Sequence, residues 1–182
     1  MRDFVAFLRG INVGGHRVKG PQLCAVFEEL GCRDVSTFRA SGNVVFDADR
    51  EPEAQLAARI EKGLEEALGY EAITFLRSAE EVRRIAREQP FAAALLGGSK
   101  GKLQVAMLPS EPAARARKEV LALATDEDRL AFGKRELYWL PEGGTQESTL
   151  DWKAIGAALG NSSSTLRTKG TVEQIAAKHF SD

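Results

Sequence analysis

The residues best suited to chemistry form one run near the start of the chain, Arg9-Gly10-Ile11-Asn12-Val13-Gly14-Gly15-His16. No acidic residue lies between Asp3 and Glu28, whereas Arg9, Arg17 and Lys19 all do. A glycine-rich backbone can turn its N–H groups inward, and a surround of cations favours negative charge, so the run has the makings of an anion site. A second group, Arg39, Ser41, Gly42 and Asn43, offers another forked guanidinium, a hydroxyl and an amide. Arginine grips a carboxylate or phosphate with two parallel hydrogen bonds, which lysine does less well. Asn12 adds a further amide donor, and Gly14, Gly15 and Gly42 permit backbone angles closed to other residues. The competing structural reading is that these glycines and asparagines only make turns, while the arginines lie over apolar surface.

A third candidate is Thr165-Leu166-Arg167-Thr168-Lys169-Gly170-Thr171, which leads into a helix whose first N–H groups attract anions. Thr171 and Gln174 have capping-box spacing, which gives Thr171 a structural task as N-cap. Solvation accounts for Lys169, and Arg167 is left as the ligand candidate.

Other chemistries fit less well. Gly10 and Gly15 have the spacing of the Walker A glycines. His16 and Arg17 follow, however, where phosphate and magnesium binding need Lys and then Ser or Thr. There is no Gly-x-Gly-x-x-Gly for a dinucleotide. His16 could serve Ser41 as a base, but neither loop supplies a carboxylate to orient it. His179, near the end of the last helix, complements the helix dipole. The two histidines are far apart and no metal-ligand spacing is present, so neither a metal nor a cofactor is expected.

The elements that must position these residues follow from periodicity. Phe4 to Leu8 reads as a buried strand. Leu23, Val26, Phe27 and Leu30 then mark a helix that begins around Pro21 and stops at Gly31. Val35 to Arg39 and Val44 to Phe46 read as two strands joined by the turn Ala40-Ser41-Gly42-Asn43. Leu56, Ile60, Leu64 and Leu68 mark a second helix ended at Gly69, and Ala72 to Leu76 a further strand. The order β-α-β-β-α-β is that of a ferredoxin-like unit. In that fold the first two strands run parallel with the third between them, so the 9–16 and 39–43 loops should meet at one end of the sheet.

Ser78 and Glu81 form a capping box for a helix that stops before Pro90. Gly97-Gly98-Ser99-Lys100-Gly101 has linker composition. A second series follows: a strand at Leu103 to Leu108 and a helix at Pro112 to Ala124. Strands at Arg129 to Phe132 and Glu136 to Leu140 flank a Gly133-Lys134 turn, and a helix carries Trp152, Ile155 and Leu159 to Gly160. Both tryptophans read as packing residues. The expectation is an α+β protein of two tandem ferredoxin-like (βαββαβ-type) units with a C-terminal helix. The first unit spans 1–88, the linker 89–101, and the second unit 102–182.

The 182 residues, 43% hydrophobic and 28% charged, suffice for a real core. A formal net charge of −1 argues against nucleic acid as the main partner. Cys24 and Cys32 make no disulfide framework and read as structural thiols. With no signal-peptide pattern and no membrane-length apolar run, the expected location is the cytoplasm.

Leu8-Arg9-Gly10-Ile11-Asn12-Val13-Gly14-Gly15, then Val18-Lys19 and Leu23, then Ser41-Gly42-Asn43-Val44-Val45-Phe46, resemble the bacterial family of unknown function DUF1697. The likeness extends to a leucine-glycine helix end followed by a Thr-x-Arg-Asn-Trp-like segment. Arg167, Thr171 and Val172 fit that segment, while Thr168 stands in place of asparagine and the tryptophan is missing. The resemblance implies tandem ferredoxin-like units and residence in a bacterial cytosol, and it implies no reaction.

The sequence therefore points to a small phosphate- or carboxylate-bearing ligand held by Arg9, Asn12, Gly14, Gly15, Lys19, Arg39, Ser41 and Asn43, with Arg167 as a further member. Two alternatives involve no catalysis. A nucleic-acid binder would use Phe4 and Phe46 on an open sheet face. A protein-interaction module would use the sheet or the terminal helix. The sequence leaves the oligomeric state open.

Overall fold

The structure is a computed structural model that describes residues 3–39 and 42–181. It divides into two compact units, Met1–Arg84 with Gln174–Asp182, and Ile85–Glu173.

The first unit contains β1 (Phe4–Arg9), α1 (Gly20–Glu29), β2 (Arg33–Thr37), β3 (Asn43–Asp47), α2 (Glu53–Leu68) and β4 (Ile73–Ser78). Its sheet runs β2-β3-β1-β4, and every pair of neighbours is antiparallel. Alternate residues Ala6, Leu8, Val44, Phe46 and Leu76 meet Leu23, Val26 and Phe27 of α1 and Leu56, Ile60 and Leu64 of α2 in one core. Burying a large apolar side chain contributes about 1.5–3 kcal/mol, so this face outweighs the weak intrinsic preferences of the helices. Phe46 sits in that core, 5.1 Å from the Phe27 ring and 5.9 Å from Phe4. These are the aromatics a nucleic-acid-binding sheet would have to display, and they lie on the helix-covered face.

The remaining elements are α3 (Ala79–Arg87), α4 (Ala93–Gly98), β5 (Gln104–Met107), α5 (Ala114–Leu121), β6 (Asp128–Phe132), β7 (Glu136–Pro141), α6 (Trp152–Ala158), β8 (Thr165–Thr168) and α7 (Lys169–His179). The second sheet runs β6-β7-β5-β8, again antiparallel throughout. The molecule is thus a mixed α+β protein with two four-stranded antiparallel sheets. Among the described residues no helix is long and apolar enough to cross a membrane.

The second sheet repeats the first in detail. Val5 lies opposite Arg77 in one and Val105 opposite Arg167 in the other. Leu8 N–H donates to the Gly42 carbonyl at 2.8 Å, and Leu108 N–H to the Arg135 carbonyl at 2.9 Å. Ala79 N–H reaches the Asp3 carbonyl as Lys169 N–H reaches the Leu103 carbonyl, both at 2.8 Å. A short sequence echo accompanies these bonds, Val-Ala-Phe-Leu against Val-Ala-Met-Leu and Leu-Arg-Ser against Leu-Arg-Thr.

Three sequence expectations need correction here. Residues 165–168, read as a lead-in to a helix, form edge strand β8. α7 begins at Lys169, and its cap is Thr168, whose Oγ1 accepts the Thr171 N–H at 3.2 Å; Thr171 lies inside the helix. Lys169 is buried rather than solvated, its Nζ donating to the Ala86 carbonyl at 2.9 Å and Glu173 Oε1 at 2.6 Å. Within residues 89–101, Ala93–Gly98 is helical. The Ser78–Glu81 capping box forms as its spacing indicates, with reciprocal bonds of 2.9 and 3.2 Å.

Candidate functional site

At the end of the first sheet, the connection from β1 to α1 is organised by a tight turn. His16 N–H donates to the Val13 carbonyl at 3.0 Å, and both central residues are left-handed, Gly14 at φ 60° and Gly15 at φ 85°. Two successive positive φ values define a type I′ turn, which explains why glycine fills both places. Neither Gly14 N–H nor Gly15 N–H has an acceptor among the described residues. Asn12 closes the other half of the loop, its Oδ1 accepting the Val18 N–H at 3.0 Å. The Asn12 side-chain oxygen is therefore spent on the loop itself.

Arg9, Arg17 and Lys19 are exposed around this turn. Lys19 is the N-cap of α1 and makes no side-chain cap, and no acid sits in the first helical turn. Tyr70, which the sequence reading passed over, supports the loop from below. Its hydroxyl donates to the Ile11 carbonyl at 2.8 Å, and its ring stacks on His16 at 4.2 Å. Its position directly after the helix-ending Gly69 was the available signal. Committed to this stack, His16 fits a loop-anchoring role.

The neighbouring connection from β2 to β3 abuts the first. Gly42, at φ 71°, hands its carbonyl to Leu8, and a Cβ there would stand 3.2 Å from Leu8 Cβ and 3.3 Å from Leu8 O. Asn43 is fully buried and uses Nδ2 to hold the Phe38 carbonyl at 2.9 Å, so it braces the connection from within. Arg39 is exposed, adopts φ 56°, and donates through Nη2 to Gln174 Oε1 at 2.6 Å. Gln174, expected to complete a capping box, instead positions this arginine. Phe38 carries cationic neighbours, with the Arg39 guanidinium and the Lys178 ammonium each 5.8 Å from its ring centre. Ser41 lies outside the described residues.

Arg167 belongs to the second unit. It is half-buried on β8, and its Nη1 donates to Thr165 Oγ1 at 2.8 Å and the Leu166 carbonyl at 2.7 Å. Burial pushes its pKa down to about 10. Cys32 is buried too, and burial raises its thiol pKa, which suits a packing residue rather than a nucleophile. Among the described residues no group of three or more His, Cys, Asp or Glu is placed to hold a metal ion.

Fold and loop together define the class, a two-sheet α+β protein whose first sheet ends in a cationic glycine turn. Residues 1–138 match the family model described as "Protein of unknown function (DUF1697)", and the chain belongs to that family. Among solved structures it is similar to the conserved bacterial protein SP0830 from Streptococcus pneumoniae. That likeness has a TM-score of 0.70 and 21% identity, and it covers 97% of both chains. No curated protein matches the chain.

Proposed function

We propose that this protein binds a small phosphate- or carboxylate-bearing molecule at the loop end of the first sheet. The observation that carries the reading is the acid-free turn itself. Gly14 and Gly15 hold two N–H groups without acceptors among the described residues, amid exposed Arg9, Arg17 and Lys19. Oriented amides and cations that are already in place favour an anion with little further ordering. Arg39, steered by Gln174, supplies a forked donor from the adjoining connection. Asn12 and Asn43 act as braces rather than ligands. Each unit is read as ferredoxin-like on the strength of its strand order. The two cysteines, too few for a disulfide framework, suit a cytoplasmic protein.

The test is a thermal-shift screen of the full chain against inorganic phosphate, sugar phosphates, nucleotides, acyl phosphates and short RNAs. At saturation a ligand of this class should raise Tm by about 2 °C or more. Arg9→Ala and Arg39→Ala should keep the unliganded Tm and lose the rise. An unchanged response in both variants overturns the reading.

A further inference from the structure

We infer, building on the anion site proposed above, that its ligand also carries a flat heteroaromatic ring. The ligand is then a single nucleotide, with its phosphate on the Gly14–Gly15 amides and its base on the His16 ring.

His16 is exposed even though one side of its imidazole lies on the Tyr70 ring, with centroids 4.2 Å apart and planes 28° from parallel. Among the described residues no other ring lies against it. The outer side of the stack is left to solvent, and a planar ring laid there makes a third tier. The platform is fixed in advance. Tyr70 is half-buried and donates its hydroxyl to the Ile11 carbonyl at 2.8 Å, while the His16 N–H holds the Val13 carbonyl at 3.0 Å. A ring held from its inner side and from its backbone loses little freedom when a ligand stacks on it. Stacking of a base on an aromatic side chain raises affinity roughly five- to a hundredfold.

Ring and turn are neighbours. A Cβ on Gly14 would stand 3.9 Å from His16 Cδ2. Val13 lies opposite His16 across the turn and is 57% exposed, more than any other large hydrophobic among the described residues, which leaves an apolar edge beside the ring. Arg9, Arg17 and Lys19 are at hand to balance a phosphate. In a mononucleotide one sugar separates base from phosphate, which suits one ring beside one turn. A longer strand needs successive platforms, and Phe4, Phe27 and Phe46 are packed with the core of this unit instead.

The experiment is titration of the full chain with AMP, adenosine, ribose 5-phosphate and a short oligoadenylate, read by calorimetry and by ligand-detected NMR. AMP should bind about tenfold or more tighter than ribose 5-phosphate. Its base protons should move upfield as they enter the ring current of the imidazole. His16→Ala should remove both the advantage and the shift and leave the affinity for ribose 5-phosphate unchanged. His16→Phe puts a ring back and should restore both. Equal affinity for AMP and ribose 5-phosphate overturns the nucleotide assignment while the anion site stands. So does an AMP advantage that survives His16→Ala, or oligoadenylate binding more tightly per nucleotide than AMP. If adenosine binds as tightly as AMP, or if no phosphate compound binds at about 10 mM, the anion site falls and the nucleotide with it.

Discussion

Phe38 and Asn43 close the first unit's central hairpin with a bond from the Phe38 N–H to the Asn43 carbonyl. Gly133 and Glu136 close the second unit's hairpin in the same way. Between the first pair lie residues 39–42, and between the second only 134–135. The crossover from the first strand to its helix shows the same contrast, residues 10–19 against residues 108–113. The second unit therefore shows that this frame closes with short connections. The extra length in the first unit is not required by the fold, and it is where left-handed glycines gather, with Arg17 and Lys19 in the crossover. Connections freed from the task of closing a frame are where binding groups accumulate. The shorter crossover, Leu108 to Ala113, has no glycine and carries Glu111.

The contrast can be attacked most forcefully at Gly42. Gly42→Ala places a Cβ against Leu8 at a left-handed φ, and urea unfolding should show a loss of about 2–3 kcal/mol. Arg135→Ala, at the corresponding position, should cost about 0.5 kcal/mol or less. Equal losses would dissolve the distinction between the two hairpins.

The two helix starts offer a sharper comparison. Ser78→Ala and Thr168→Ala should each cost about 1 kcal/mol, because each removes the acceptor for a first-turn N–H. Thr171→Val should cost less than Thr168→Ala in the same thermal melts. The reverse order would return the cap to Thr171. Asn12→Ala should lower stability by only about 0.5 kcal/mol, while reducing ligand-induced stabilisation several-fold.

Arg167→Met should have a small net effect. Burial holds the folded pKa to about 10, below its unfolded value, a cost of roughly 3 kcal/mol. That cost is complete below about pH 10 and fades only as pH rises toward the unfolded value. Methionine removes it along with the guanidinium's hydrogen bonds, so the net change at neutral pH should stay within about 1 kcal/mol. The difference should also be flat between about pH 6 and 9.

Much of this was legible in the chain. The apolar spacing of α1 and α2, the glycines that end them, and the Ser78–Glu81 box all act locally, and local signals survive reading one residue at a time. The adjacency of the 9–16 and 39–43 connections was also deducible, because strand order dictates it. β8 was hidden because its four residues, Thr-Leu-Arg-Thr, lack apolar alternation and gain their place only by pairing with β5. The roles of Gln174 and Tyr70 were hidden for a related reason, since their partners lie 135 and 59 residues away.

The bond between Arg39 and Gln174 has a temporal side. The first unit takes in residues 174–181, so a ribosome must deliver every residue of the second unit before the first can be finished. During synthesis, the four strands and two helices of the early segment wait with Arg39 unsteered and the α7 side of the unit uncovered. A chain released before residue 174 would carry the glycine turn without the residue that aims its neighbour, and binding competence would then mark a chain completed through that point.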